Sequence, residues 1–198
     1  MQRLVFATNN KHKLEEIKEI LKGKYQIIGL NEFGINEDIP ETGTTLSENA
    51  SIKSHYIYSK FGIDVFSDDT GLEIDVLNGR PGVYSARYAG EDGNSEANIS
   101  KVLAEMEDSI SRTARFKTVI SLILNGKEYL FNGKIEGKIT TKKYGISGFG
   151  YDPIFIPNQF SYTFAEMPLD EKNKISHRAL ATAKLVNFLT KKDRHNDK

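Results

Sequence analysis

Phe66-Ser67-Asp68-Asp69-Thr70-Gly71-Leu72 sets two adjacent carboxylates between an apolar run, Ile63 to Phe66, and an alternating run, Leu72-Glu73-Ile74-Asp75-Val76. Neighbouring side chains of a strand point to opposite faces, so both carboxylates can serve one site only where a strand ends and the backbone turns. Gly71 permits such a turn, and the stretch reads as a strand pair bent around the two acids. The plainer alternative is a solvated Asp-Asp turn ahead of a glycine. Its neighbours along the chain decide between the two.

Upstream, Leu4-Val5-Phe6-Ala7 reads as a short buried strand and Lys11 to Leu21 as a helix, because Leu14, Ile17, Ile20 and Leu21 share one face. Thr8, Asn9 and Asn10 therefore fall at a strand-to-helix junction, where unpaired backbone N–H groups and a partial positive charge await an anion. Lys11 and Lys13, with His12 between them, add charge of the sign the dipole disfavours there, which points to an anion site. An ordinary Asn-capped surface helix is the alternative. Tyr25 to Leu30 suits a second strand, followed by an irregular acidic segment with Glu37, Asp38 and Glu41. Thr42-Gly43-Thr44 reads as a turn, and Thr45 with Glu48 as a capping box that starts a helix from Leu46 to Phe61.

Downstream, the loop Asn78 to Gly90 carries two Tyr and two Arg, which fits either a wall of a site or a contact between subunits. Asn94 caps a helix running to about Glu107. Thr113 to Leu124 is β-rich, Asn125-Gly126 marks a hairpin, and Asn132-Gly133 marks another turn or bulge before Lys134 to Thr140. In Gly145-Ile146-Ser147-Gly148-Phe149-Gly150-Tyr151-Asp152-Pro153, three glycines interleave with aromatics and one carboxylate. That pattern suits a flat ligand approaching backbone, with a ring to stack on it; the alternative is a glycine-rich turn with Phe149 in the core. Ser176 is read as the cap of a last helix, Leu180 to Leu189, with its inner face formed by Leu180, Val186 and Leu189. His177 and Arg178 fall in its first turn, and the tail after Leu189 is expected to fray.

Composition narrows the class. The 198 residues fit a single domain, 38% hydrophobic and 10% aromatic, and the 27 Lys and Arg balance the 27 Asp and Glu. Without a bulk positive field, no long nucleic acid is expected as partner, and an anionic ligand must be met by local clusters. Cysteine is absent, which excludes disulfide scaffolds, thiolate zinc sites and a Cys nucleophile. The four histidines show no metal-binding pair. No apolar stretch approaches the roughly 20 residues that span a bilayer, and a cytoplasmic, membrane-free protein is expected.

A helix start with lysines suits phosphate, the carboxylates Glu41, Asp68 and Asp69 suit a hard divalent cation, and an aromatic glycine loop suits a nucleobase. Together they describe a nucleotide polyphosphate with magnesium. A non-catalytic nucleotide sensor and a metal-dependent phosphatase or nuclease acting on other esters are the competing readings.

Thr8-Asn9-Asn10-Lys11-His12-Lys13, Glu41-Thr42-Gly43-Thr44-Thr45, Asp68-Asp69-Thr70-Gly71-Leu72, Gly79 to Tyr88, Gly148 to Pro153 and Ser176-His177-Arg178 resemble, in order, the motifs of the inosine triphosphate pyrophosphatase family. Two departures are Leu46, where Phe is common, and Thr70, where Ser is common. The resemblance implies an elongated α/β fold with a long mixed β-sheet flanked by helices, two lobes with a central cleft, and a homodimer. It implies hydrolysis of ITP, dITP and XTP to the monophosphate and pyrophosphate with Mg2+. Carried over, Thr8, Asn10 and Lys13 hold the triphosphate, helped by Lys172, and Asn9, Lys11, His12 and Thr70 belong to the substrate-binding set. Phe149 stacks on the purine, Asp152, His177 and Arg178 contact the base or its sugar side, and Gly150 and Tyr151 complete the substrate-binding set. Glu41, Asp68 and Asp69 surround the metal, and Asp69 is the expected general base.

Overall fold

Alternation in the first strand already sorts its residues between two layers. In the computed structural model, which describes residues 2–37, 39–90 and 93–196, β1 spans Gln2–Phe6. Leu4 and Phe6 pack with Ile17 of α1 (Lys11–Ile20), with Leu21 at its C-terminal end, and with Ala181, Leu185 and Leu189 of α5 (His177–Asn196). Val5 and Ala7 pack instead with Ile57 of α2 (Leu46–Phe61). A period-two strand between helices on both faces buries its successive side chains from Leu4 to Phe6, the requirement of an α/β layer. The Phe6 and Phe66 rings stack at 4.5 Å. Burying each contributes on the order of 1.5–3 kcal/mol.

The other strands are β2 (Tyr25–Gly29), β3 (Val65–Ile74), β4 (Pro81–Gly82), β5 (Thr113–Leu124), β6 (Lys127–Ile139) and β7 (Phe155–Pro157). They order as β2-β1-β3-β5-β6-β7, with β4 paired to β3. β1 pairs parallel with β2 and β3, whereas β3–β4 and β6–β7 are antiparallel, so the sheet is mixed. The chain divides into two compact units. One comprises the residues up to Asp69, Thr118–Gly133 and those from Arg178 on, and the other comprises Thr70–Lys117 and Lys134–His177. The core of the second unit gathers Leu72, Ile74, Ala114 and Phe116 from strands, Ile99 and Val102 from α3 (Ser95–Glu105), and Tyr151, Phe155 and Phe164.

Several expectations hold to within a residue or two: α1, β2, α3 capped by Asn94, and the Asn125-Gly126 hairpin, whose two residues both take positive φ. Four do not. β3 runs unbroken through Asp68, Asp69 and Gly71, and Gly71 is not among the positive-φ glycines. β6 likewise passes straight through Asn132-Gly133, because ladder pairing there outweighs local turn preference. A helix absent from the sequence reading, α4 (Leu169–Ile175), precedes the last one, which begins at His177 and continues to Asn196. Leu180 is exposed, and Ala181 and Leu185 join Leu189 on the inner face, with the half-buried Val186 packed against them. Asp38 lies outside the described residues. No helix among the described residues is long and apolar enough to cross a membrane.

Candidate active site

The strand-to-helix junction is built from its own polar side chains. Asn10 caps α1, its Oδ1 accepting from the Lys13 backbone N–H at 3.1 Å, and the Thr8 hydroxyl accepts from the Asn10 N–H at 3.2 Å. Asn9 donates from Nδ2 to the Glu37 carbonyl at 3.1 Å. Lys11 and His12 are exposed, whereas Lys13 turns inward and donates to Asp68 Oδ1 at 2.9 Å. The expected pair of junction lysines is therefore divided between solvent and interior.

Because β3 does not turn, its consecutive aspartates face opposite ways, and each meets a different helix layer. Asp68 shares a face with Phe66. It accepts from Lys13 of α1 and, through Oδ2, from Arg178 Nε of α5 at 3.2 Å. Arg178 also pairs with Glu16 of α1, and Glu16, Asp68 and Arg178 are all buried. Asp69 lies on the opposite face with Ser67, whose hydroxyl donates to the Ala50 carbonyl of α2 at 2.5 Å. Asn49 Nδ2 donates to Asp69 Oδ2 at 3.3 Å, and Lys53 Nζ lies 3.7 Å from Oδ1. Lys53 also pairs with Glu41.

The loop bearing Glu41 is tied to the same helix. The capping box between Thr45 and Glu48 is complete, Glu48 also accepts from the Thr44 N–H at 2.6 Å, and Asn49 Oδ1 accepts from the Gly43 N–H at 2.7 Å. A Cβ on Gly43 would sit 2.7 Å from both Asn49 Oδ1 and Glu48 Cβ, so only glycine allows this approach.

Opposite surroundings drive the two aspartates apart. Burial alone would raise the Asp68 carboxyl, but Lys13, Arg178 and Lys53 outweigh it and hold it far below the usual range. For Asp69 burial prevails over Lys53 and Lys13, while Glu41 and Asp68 add repulsion, and its pKa rises. Lys53 moves up, because Asp69, Glu41 and Asp68 together overcome its burial. Burial moves Lys13 down, Asp68 offsetting only part of it.

These contacts also test the expected metal set. Among the described residues no group of three or more His, Asp or Glu is arranged to hold a metal ion. Glu41 and Asp69 come together on Lys53, but Asp68 is engaged on the other face by Lys13 and Arg178. Two hard oxygen donors suffice for magnesium, which keeps waters and substrate phosphates in its remaining positions. The pair Glu41 and Asp69 fits the ion, and Asp68 fits a charged anchor instead.

In the second unit, Asp152 organises the glycine loop. Its Oδ2 accepts from the Phe149 N–H at 2.8 Å and from Lys172 Nζ of α4 at 2.7 Å. Gly148, at φ 77°, lies so close that a Cβ would come within 2.1 Å of that oxygen. Phe149 is half-buried, outside the core cluster, with Lys172 Nζ 5.2 Å from its ring centroid. Gly150 is also half-buried, at φ 60°. Tyr151 differs from the expected ligand contact: its ring is in the core and its hydroxyl donates to the Ser85 carbonyl at 2.8 Å, so it anchors the loop. His177 is buried and stacks on Phe116 at 4.6 Å. Thr70, in β3, is half-buried.

Glu16, Asn49 and Lys53 escaped the sequence reading. One signal was available for Lys53, which falls on the Leu46, Ala50 and Ile57 stripe of α2, where a cation needs a buried partner.

Residues 4–188 match the model of the Ham1 family. A dITP/XTP pyrophosphatase of Christiangramia forsetii is 53% identical over 189 residues, 96% of this chain and 100% of that protein. The solved Ham1 protein of Staphylococcus aureus superposes with a TM-score of 0.87 at 41% identity, covering 96% of this chain and 100% of that one. A solved nucleoside-triphosphatase / dITP/XTP pyrophosphatase of Mycobacterium abscessus gives 0.75 at 36% identity, covering 93% and 98%.

Proposed function

The chain belongs to the Ham1 family, and from that membership we propose that it hydrolyses the non-standard purine nucleoside triphosphates dITP, ITP and XTP to the monophosphate and pyrophosphate. The substrate class follows the relatives named dITP/XTP pyrophosphatase. The chemistry rests on one observation, the different partners of two consecutive aspartates: Asp68 lies between Lys13 and Arg178, and Asp69 lies beside Asn49 and Lys53. A carboxylate with a raised pKa can accept a proton, whereas one held ionised by cations positions them.

Asp69 takes the proton of the water that attacks the α-phosphorus, and pyrophosphate leaves. Thr8, Asn9, Asn10, Lys11, His12 and Lys13 bind the triphosphate at the start of α1, with Thr70 and Lys172 as further phosphate contacts. Magnesium is part of the proposal, held by Glu41 and Asp69, with Asp68 assigned to Lys13. When bound, it neutralises charge on phosphate oxygens and lowers the pKa of a bound water. Phe149 stacks on the purine, Gly150 lets backbone approach it, and Tyr151 holds the loop. Asp152 and His177 serve the base or sugar side, whereas Arg178, expected there from the resemblance, is held between Glu16 and Asp68. A 6-oxo purine is favoured where a buried donor meets O6, since adenine leaves that donor unpaired at a cost of about 1–3 kcal/mol.

Incubation with dITP and magnesium is expected to yield dIMP and pyrophosphate. Primary release of orthophosphate with dIDP would overturn the reading, and tight binding without turnover would favour a sensor.

A further inference from the structure

Glu16 is a carboxylate buried in the middle of α1, and neither a solvated role nor a direct phosphate contact suits it. It pairs with Arg178, which donates to Asp68, which accepts from Lys13. Lys13 and Glu16 are three residues apart on one face of α1, so three ion pairs and one turn of helix form a ring: α1 to α5, α5 to β3, and β3 back to α1. Its signs alternate, and each of the two central groups has an opposite charge on both sides.

We infer that Glu16 is a positioning residue for the phosphate site, acting through Arg178 and Asp68 to set where the Lys13 ammonium stands. This rests on the pyrophosphatase reading, because it gives Lys13 a phosphate to bind. Arg178 has two carboxylates to satisfy with a rigid, forked set of donors. While Glu16 takes one branch, Asp68 offers Oδ2 to Nε and keeps Oδ1 for Lys13. With the Glu16 charge removed, the buried guanidinium draws on Asp68 as its carboxylate partner within this ring. Asp68 then rotates toward a two-pronged contact, and Lys13 loses the oxygen that fixes it.

A merely structural ion pair between α1 and α5 predicts something different, and a double-mutant cycle separates the two. Glu16→Gln is compared with wild type, and the same change is made in a Lys13→Met background, with kcat/KM for pyrophosphate release from dITP read in all four proteins. The positioning role predicts a loss of about tenfold in the first background and less than about twofold in the second, since the affected group is already gone. Equal losses in both backgrounds, or no loss in the first, overturn it. If Glu16→Gln does not fold, Glu16→Asp, which keeps the charge but shortens the reach, enters the same cycle with the same two outcomes. If wild type releases no pyrophosphate, the functional reading falls, and equilibrium binding of dITP to the four proteins decides on Glu16 by the same pattern.

Discussion

Asp68 and Asp69 are chemically identical neighbours, and the strand's two-residue period alone hands them to different partners. Asp69→Asn is expected to lower turnover by at least about a hundredfold while dITP binding stays within a few-fold, since the base is lost and the shape kept. A near-normal rate would remove its role as base. Protonation of Asp69 removes the base, so kcat/KM is expected to fall as pH falls through the value at which this carboxyl takes up a proton. The depressed pKa of Asp68 contributes stability that is present above about pH 4 and is lost as pH falls toward the folded value. Asp68→Asn leaves Arg178 and Lys13 without that charge, and a loss of about 3 kcal/mol would lower Tm by roughly 6–12 °C for a chain of this size. Thermal melts at pH 7 check this; an unchanged Tm would contradict the buried ring. At this scale the acidic residues and Lys13 were readable as chemistry, because their types and spacing are local. Glu16, Asn49 and Lys53 were not, since their significance arises only when α1, α2 and α5 close on β3.

At the scale of elements, local signals succeeded where caps are self-contained. Thr45 and Glu48 form the capping box three residues apart that the sequence announced, and Asn10 and Asn94 cap as expected. The box also tethers the loop that carries Glu41. Thr45→Ala is therefore expected to cost about 1 kcal/mol, a fall of about 2–4 °C in Tm. It should also raise the magnesium concentration that turnover requires. Calorimetry with a magnesium titration reads both, and a change in Tm with an unaltered titration would detach the loop from metal binding. Signals failed where sheet pairing overrides them: Gly71 and the pair Asn132-Gly133 look like turns yet lie inside the continuous strands β3 and β6. The short α4 went unseen because its seven residues are too few to display a helical period.

Across the whole molecule, the mixed sheet flanked by helices follows the resemblance, which runs nearly from end to end of the chain. The division into two units leaves no mark in composition, because β3, β5 and β6 each contribute residues to both. Equal numbers of acidic and basic residues also suit a small anion met by local charge better than a polymer met by a field. The homodimer implied by the resemblance predicts a solution mass of twice 22.3 kDa by light scattering, and a monomer at micromolar concentration would contradict it. The most direct test of the account is hydrolysis of dITP in water enriched in heavy oxygen, with mass analysis of both products. Attack at the α-phosphorus predicts the label in dIMP and unlabelled pyrophosphate; label in pyrophosphate or orthophosphate would contradict it.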